Sequence, residues 1–380
     1  MSIVPATPLR VPTGTTREQW SKSPRGCQPS QAEHGARARR LVRRLSAELD
    51  QPLRFDRILL NKVWGGRELE RCPGFPLPLV GPVGESWELV DRDDHNSVLA
   101  TNGAGGRAPT LREIMKRSGE RLLGKAPADA HGRFPLLVKH LDARQPLSVQ
   151  VHPDEAGARR VGGDSESKCE AAIVLAADPG ALIYAGLKPE VTPAQLRAAL
   201  GGPDLLGLLN AYEARPGQCY LIPGGTVHAH GAGLVLFEVQ QNSDTTYRLW
   251  DFGRVGDDGK PRAVHVEQAL AVAQFGAPER APLEPRYDDT GRGHGRAPLA
   301  RTQSFALNAL AIHATTRLST NGQFQIYSAL RGSGRLTVRG SSAACALRPG
   351  DVWLVPAALD YHYVEPDTGG LELIQVLYRA

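Results

Sequence analysis

The stretch "RPGQCYLIPGGTVH", residues 215–228, has a partner further along the chain, "RPGDVWLVPAALDY", residues 348–361. Gly217 and Gly350, Pro223 and Pro356, and His228 and Tyr361 all stand 133 residues apart, which marks a repeated unit. Each copy reads as a Pro-Gly turn, a short strand, and a second proline that ends the strand before a returning loop. Outward from these copies, the chain after residue 50 consists of short apolar runs punctuated by Gly and Pro, such as "ESWELVDR", "PLLVKHLDA" and "GLVLFEVQ". That is the pattern of an antiparallel β protein. Three interruptions read as helices, around residues 110–124, 192–212 and 265–275, and the first two open on a threonine in the N-cap role.

The spacing of Gly217, Pro223, Gly225 and His228 resembles the second sequence motif of the cupin superfamily, which implies double-sheet jelly rolls. The expected fold is therefore mainly β, with two cupin-type barrels and a few inserted helices. In the later copy Ala358 replaces the glycine and Tyr361 the histidine, so the second barrel is expected to be degenerate and the first to hold a single metal site. Residues 276–302 are rich in Pro, Gly and Arg and lack periodicity, as a linker or surface loop does. They divide a metal-binding cupin domain, residues 51–275, from a C-terminal domain, residues 303–380.

The formal net charge of +5 sits in residues 1–50, where nine Lys and Arg face four Asp and Glu. The remainder is neutral, so nucleic acid is not a required partner; the extension reads as solvated, disordered or partly helical. No apolar run is long enough to span a bilayer, and no signal-peptide pattern opens the chain, so neither a membrane nor secretion is expected. Cys27, Cys72, Cys169, Cys219 and Cys345 are odd in number and never paired as C-x-x-C, which suits a reducing cytoplasm and excludes a thiolate zinc cluster. Cys169 and Cys219 read as packing residues.

In "QPLSVQVHPDE", residues 145–155, Val149 and Val151 alternate with Gln150 and His152, so a strand presents the latter two on one face. Glu170 precedes another apolar strand, and His228 closes the cupin motif. Gln150, His152, Glu170 and His228 together offer two imidazoles, a carboxylate and an amide oxygen. Zinc suits this set best, with manganese or iron as alternatives. His230 and His140 are competing imidazoles of lower rank, because one is offset from the cupin spacing and the other lies outside it. Trp64, Gly65, Gly66 and Trp87 read mainly as structural, and Asp142 as support for a neighbouring group.

Longer stretches are similar to the type I mannose-6-phosphate isomerases, especially the short bacterial form. They are "KVWGG" at 62–66, "GESWEL" at 84–89, "LLVKHLDARQPLSVQVHPDE" at 136–155, "KCE" at 168–170, "IPGGTVHA" at 222–229 and "EVQQNSDTTYRLWDFGR" at 238–254. The resemblance runs from about Leu53 to the end and leaves the first fifty residues without a counterpart. It implies one zinc ion bound by Gln150, His152, Glu170 and His228, an active-site role for Arg248, and interconversion of mannose 6-phosphate and fructose 6-phosphate. Such chemistry moves a proton between C2 and C1 through an enediol, so it needs electrophiles for the developing charge and a proton shuttle. Glu238, Lys139 and Lys168 are the candidate shuttles, with phosphate recognition as the other reading of the lysines. A non-catalytic sugar-phosphate-binding cupin, an isomerase of another aldose and an iron oxygenase are the alternatives. A monomer or homodimer acting in the cytoplasm completes the expectation.

Overall fold

The computed structural model describes residues 48–78, 80–100, 107–255, 259–341 and 344–378. The basic extension lies outside the described residues except for its last three. Eleven described strands build the first half: β1 (Ile58–Leu60), β2 (Glu85–Leu89), β3 (Leu136–Ala143), β4 (Val149–Val151), β5 (Glu170–Ala177), β6 (Leu182–Leu187), β7 (Leu209–Glu213), β8 (Cys219–Ile222), β9 (His228–His230), β10 (Leu234–Gln241) and β11 (Tyr247–Trp250). They form one sheet in the order β1-β2-β3-β10-β5-β8 and another in the order β11-β4-β9-β6-β7, with neighbouring strands antiparallel.

The first helix, α1 (Leu111–Leu123), starts where the sequence predicts, because Thr110 and Glu113 form a reciprocal capping box. Helix α2 (Glu155–Val161) follows β4, with Asp154 capping its first turn. The predicted helix over 192–212 resolves into α3 (Pro193–Ala199), again on a threonine capping box, α4 (Asp204–Gly207) and strand β7. The last five residues of that stretch, Leu209–Glu213, pair with β6 instead of continuing as helix. Helix α5 (Val266–Val272) packs Ala269 and Val272 with Val149, Val151, Val227 and Ala229. That apolar cover fixes which face of β4 and β9 turns inward: valines go to the helix, Gln150 and His228 to the barrel.

The second half is a single sheet folded over on itself: β12 (Asp288–Asp289), β13 (His294–Arg301), β14 (Phe305–Ile312), β15 (Thr316–Ser319), β16 (Gln325–Thr337), β17 (Ala344–Leu347), β18 (Val352–Val355) and β19 (Tyr361–Tyr378). The long strands β16 and β19 make the fold-over, with register shifts around Ala329–Gly334. Gly332 sits at φ +73 there, and a Cβ on it would lie 2.2 Å from the Gly370 carbonyl oxygen, so no other residue fits the bend.

Strand β13 corrects the linker reading of 276–302. Gly295, Ala297 and Leu299 pack inward against β14 while Arg296, Pro298 and Arg301 face out, and Pro298 sits at a register shift. A proline is tolerated at such a bulge, so the turn-like composition concealed a strand. Each barrel keeps an apolar cluster of its own, with Leu141, Ile183 and Leu236 in the first and Leu310, Tyr327 and Leu373 in the second, and a further cluster joins the two. Val138, Ile173, Phe237 and Val239 of the first join Leu307, Ala309, Ile326, Ile374 and Val376 of the second in one apolar cluster. Burial of each large side chain there contributes roughly 1.5–3 kcal/mol, which ties the described residues of both barrels into one compact unit.

Candidate active site

Gln150 on β4 pairs in register with His228 on β9, and His152 follows two residues on, so all three converge inside the first barrel. Glu170 enters from the opposite sheet at the first position of β5. The Nδ1 of His228 donates to the Thr226 carbonyl at 2.9 Å and that of His152 to the Thr245 carbonyl at 2.8 Å. Both Nε2 atoms are therefore lone pairs. Yet His228 Nε2 faces Glu170 Oε1 at 3.0 Å, and His152 Nε2 faces Glu170 Oε2 at 3.3 Å. Acceptors face acceptors, and neither carboxylate oxygen has a hydrogen bond although the residue is almost fully buried.

A divalent cation fits this arrangement. It would satisfy both carboxylate oxygens, which have no hydrogen bond, and take up the two lone pairs, which here meet the N–H groups of Gln150 and Lys168; carbonyl-fixed tautomers are the usual way proteins orient imidazole ligands. His152, Glu170 and His228 bring their donor atoms within 4.8 Å of one another. Gln150 donates its amide N–H to His228 Nε2 at 3.2 Å and accepts from the Ser148 hydroxyl at 3.3 Å; turning the amide over would add its oxygen to the set.

Lys168 caps the cluster, its Nζ 3.1 Å from Glu170 Oε2 and 3.2 Å from His152 Nε2. Burial and then the Lys168 ammonium push His152 down to about 4, so its ring stays neutral. Burial alone would raise Glu170; the Lys168 ammonium and the two imidazoles outweigh it and hold the carboxyl well below its ordinary range. The thiols of Cys169 and Cys219 are pushed up to about 12 by burial, which agrees with packing rather than ligation.

The cluster forms the floor of a cavity of about 290 Å3. Lys139 and Glu238, opposite one another on β3 and β10, line its wall as an ion pair at 3.0 Å. Burial opposes the charge on both, but the Glu238 and Glu85 carboxylates raise Lys139, and chiefly Lys139 lowers Glu238 to about 2. Arg248, beside Gln150 in the β4–β11 pairing, reaches the same cavity. All eight residues singled out from sequence thus converge, with His152 and His228 forming the floor and the other six on the cavity lining.

The sequence ranking set His230 below the others and missed Glu85 and Lys62. His230, one turn of the strand pleat beyond His228, is buried on the same face with both ring nitrogens unpartnered, 3.6 Å from Glu238. Its H-x-H spacing with His228 was the available signal. Glu85 and Lys62 complete the wall, with Glu85 also accepting from the Trp87 indole at 2.6 Å. Trp64 lines the cavity as well, whereas Gly65 serves packing, since a Cβ there would lie 2.4 Å from the Gly84 nitrogen. His140 is elsewhere, bonded to Glu88 and set between Phe75 and Phe237. Asp142 accepts from the Glu68 backbone N–H.

Together these features define a two-barrel cupin-type protein whose first barrel holds a metal-competent cluster under a charged cavity. The family described as phosphomannose isomerase type I, catalytic domain, matches residues 53–194. A mannose-6-phosphate isomerase of Streptococcus mutans is 33% identical over 324 residues, 85% of this chain and 97% of its own. One of Bacillus subtilis is 30% identical over 310 residues, 81% of this chain and 94% of its own. The crystal structure of the mannose 6-phosphate isomerase from Bacillus subtilis superposes with a TM-score of 0.75 at 27% identity, covering 86% of this chain and 99% of that one. The chain belongs to the type I mannose-6-phosphate isomerase family and is an enzyme of that family.

Proposed function

We propose that the protein interconverts mannose 6-phosphate and fructose 6-phosphate, with zinc held by Gln150, His152, Glu170 and His228. The observation that carries this reading is the facing of two imidazole lone pairs and two buried carboxylate oxygens that lack hydrogen bonds, beside a cavity rich in lysine, arginine and carboxylate. When bound, the cation supplies Lewis-acid polarisation of the sugar oxygens. Glu238 is the shuttle this reading favours, since it is the ionised acceptor on the wall, while Lys139 and Lys168 are ammonium donors. Lys139 keeps Glu238 ionised and in place. Arg248 offers charge-assisted hydrogen bonds to developing negative charge. His152 and His228 stay fixed by their carbonyl contacts, so the floor is preorganised rather than assembled on binding.

The four described cysteines are unpaired; action in the cytoplasm, as a monomer or homodimer, is part of this proposal. Among the described residues no helix is long and apolar enough to cross a membrane. The test is turnover of mannose 6-phosphate by purified protein before chelation, after it, and after zinc is restored, with metal content followed in parallel. Activity should vanish and return. Full activity in verified metal-free protein would refute the metal assignment, and zinc-loaded, folded protein without turnover would leave a binding-only cupin or another aldose.

A further inference from the structure

The apolar cluster that joins the two barrels is open at one edge. A cavity of about 330 Å3 enters there, within the size range of small-molecule sites, and it shares no lining residue with the active-site cavity. Leu299, Ala309 and Ile374, each at most 2% exposed, give it an apolar floor, and Leu175 and Leu330 flank it from the two barrels. The duplicated turns account for the space. Gly217 donates to the Val174 carbonyl at 2.8 Å and Gly350 to the Ala329 carbonyl at 3.2 Å, so each Pro-Gly turn closes on a strand in the same way. The second turn is covered: a Cβ on Gly350 would lie 2.6 Å from Pro73, and Arg57 donates to the Gly350 carbonyl at 2.8 Å. The first is not, since a Cβ on Gly217 would meet nothing within 4 Å, and the cavity lies beside it.

The rim carries both signs of charge. Glu284 accepts from Gln218 at 3.1 Å, whereas Arg215, Arg331 and Glu372 make no hydrogen bond or ion pair among the described residues. Arg331 and Glu372 are directly opposed across β16 and β19, where Cβ atoms stand about 5 Å apart and opposite charges ordinarily pair. Register shifts on both sides of Arg331 and Gly332 bend the strand at this point. Opposed charges that leave each other free are matched by a ligand carrying the complementary pair side by side. We propose that this cavity binds an α-amino acid with a large apolar side chain, its carboxylate on Arg331, its ammonium on Glu372 and its side chain on Leu299, Ala309 and Ile374. A simple anion would leave Glu372 unmatched and a simple cation would leave Arg331 so; a zwitterion answers both with charge-assisted hydrogen bonds. The site and its ligand are independent of the sugar-phosphate reading above.

The experiment titrates full-length, zinc-loaded protein by calorimetry with L-phenylalanine, and with 3-phenylpropionate and 2-phenylethylamine, which lack its ammonium and its carboxylate respectively. Phenylalanine should bind at one site with a Kd of about 1 mM or tighter, and each analogue at least about tenfold more weakly. Arg331→Gln and Glu372→Gln should each weaken phenylalanine by about tenfold, the size of one lost charge-assisted contact, with urea midpoints and zinc content unchanged. Ala309→Phe, which fills the floor, should abolish binding. The absence of saturable phenylalanine binding to wild type would overturn the proposal, as would binding that neither rim variant weakens. So would 3-phenylpropionate bound as tightly as phenylalanine, which would make the cavity an anion site of Arg215 and Arg331.

Discussion

Strand register allows the interiors of the two barrels to be compared residue by residue. Glu170 faces Ile222 across β5 and β8, and Gln325 faces Val355, the repeat-equivalent of Ile222, across β16 and β18. By the same pairings Gln375 stands where Glu238 does, Asn308 where Lys139 does, and Arg296 where Glu85 does. The second barrel thus carries amides where the first carries two carboxylates and an ammonium. Its network closes without a ligand: Arg296 donates to the Asn308 amide oxygen at 3.0 and 3.1 Å, Asn308 donates to Gln375 at 3.1 Å, Gln375 and the Tyr327 hydroxyl donate to Gln325, and Gln325 donates to the Ser319 carbonyl at 2.8 Å. Amides can do this because each is both donor and acceptor. Carboxylates accept only, so a cluster built from them stays unfinished until a cation or ligand arrives. Tyr361 extends the contrast, being exposed and stacked on Arg317, while the next residue, His362, turns inward. The echo with 215–228 holds through Pro356 and slips in the loop.

The sharpest break of this comparison is to write the second barrel's residue into the first. Glu170→Gln should abolish zinc retention and lower turnover by more than about 100-fold, beyond the loss that follows removal of a group merely supporting a ligand. Metal analysis and steady-state kinetics decide it; a variant that kept both would show that the carboxylate is not what separates the barrels.

Next in size is the wall. Glu238→Gln leaves Lys139 with Glu85 at 3.7 Å as its remaining ion pair, and breaking a buried pair from one side costs about 3–5 kcal/mol. Adding Lys139→Asn reproduces the Asn308–Gln375 pairing and should restore at least half of that stability while the protein stays inactive. Urea midpoints of the two singles and the double give the coupling directly. A double variant no more stable than Glu238→Gln would mean that the amide pairing depends on neighbours the first barrel lacks.

Sequence reasoning reached what is local. Gln150, His152 and His228 were legible because strand alternation and a turn-strand-turn spacing are both short-range, and Thr110 and Thr192 announced their helices for the same reason. Lys168 was favoured for its place two residues before Glu170, while Glu238 and Lys139 stood only as charged candidates, since nothing nearby marks them. Glu85 and Lys62 escaped because their roles depend on pairings between distant strands, such as Glu85 with Leu141. Strands β7 and β13 escaped for opposite reasons: one continued a Leu-rich helical run, and the other was dressed in Pro, Gly and Arg.

The smallest expected effect tests whether the second barrel is truly closed. His362 is fully buried, its Nε2 2.9 Å from the Tyr327 hydroxyl and its Nδ1 without a partner. Burial depresses it from 6.5 to about 4. The folded protein therefore excludes a proton that the unfolded chain binds below pH 6.5, so this contribution to stability is whole above 6.5 and is lost as pH falls toward 4. The loss is about 1.4 kcal/mol per pH unit, or about 2 kcal/mol between pH 6.5 and pH 5. Urea unfolding of wild type and His362→Asn at pH 7 and pH 5 isolates it, because every other titrating group is common to both. Wild type should lose about 2 kcal/mol more than the variant over that interval. Equal losses would mean that Tyr327 and its amides can reorganise to accept an imidazolium, and the contrast between an open first barrel and a self-satisfied second one would have to be withdrawn at this residue.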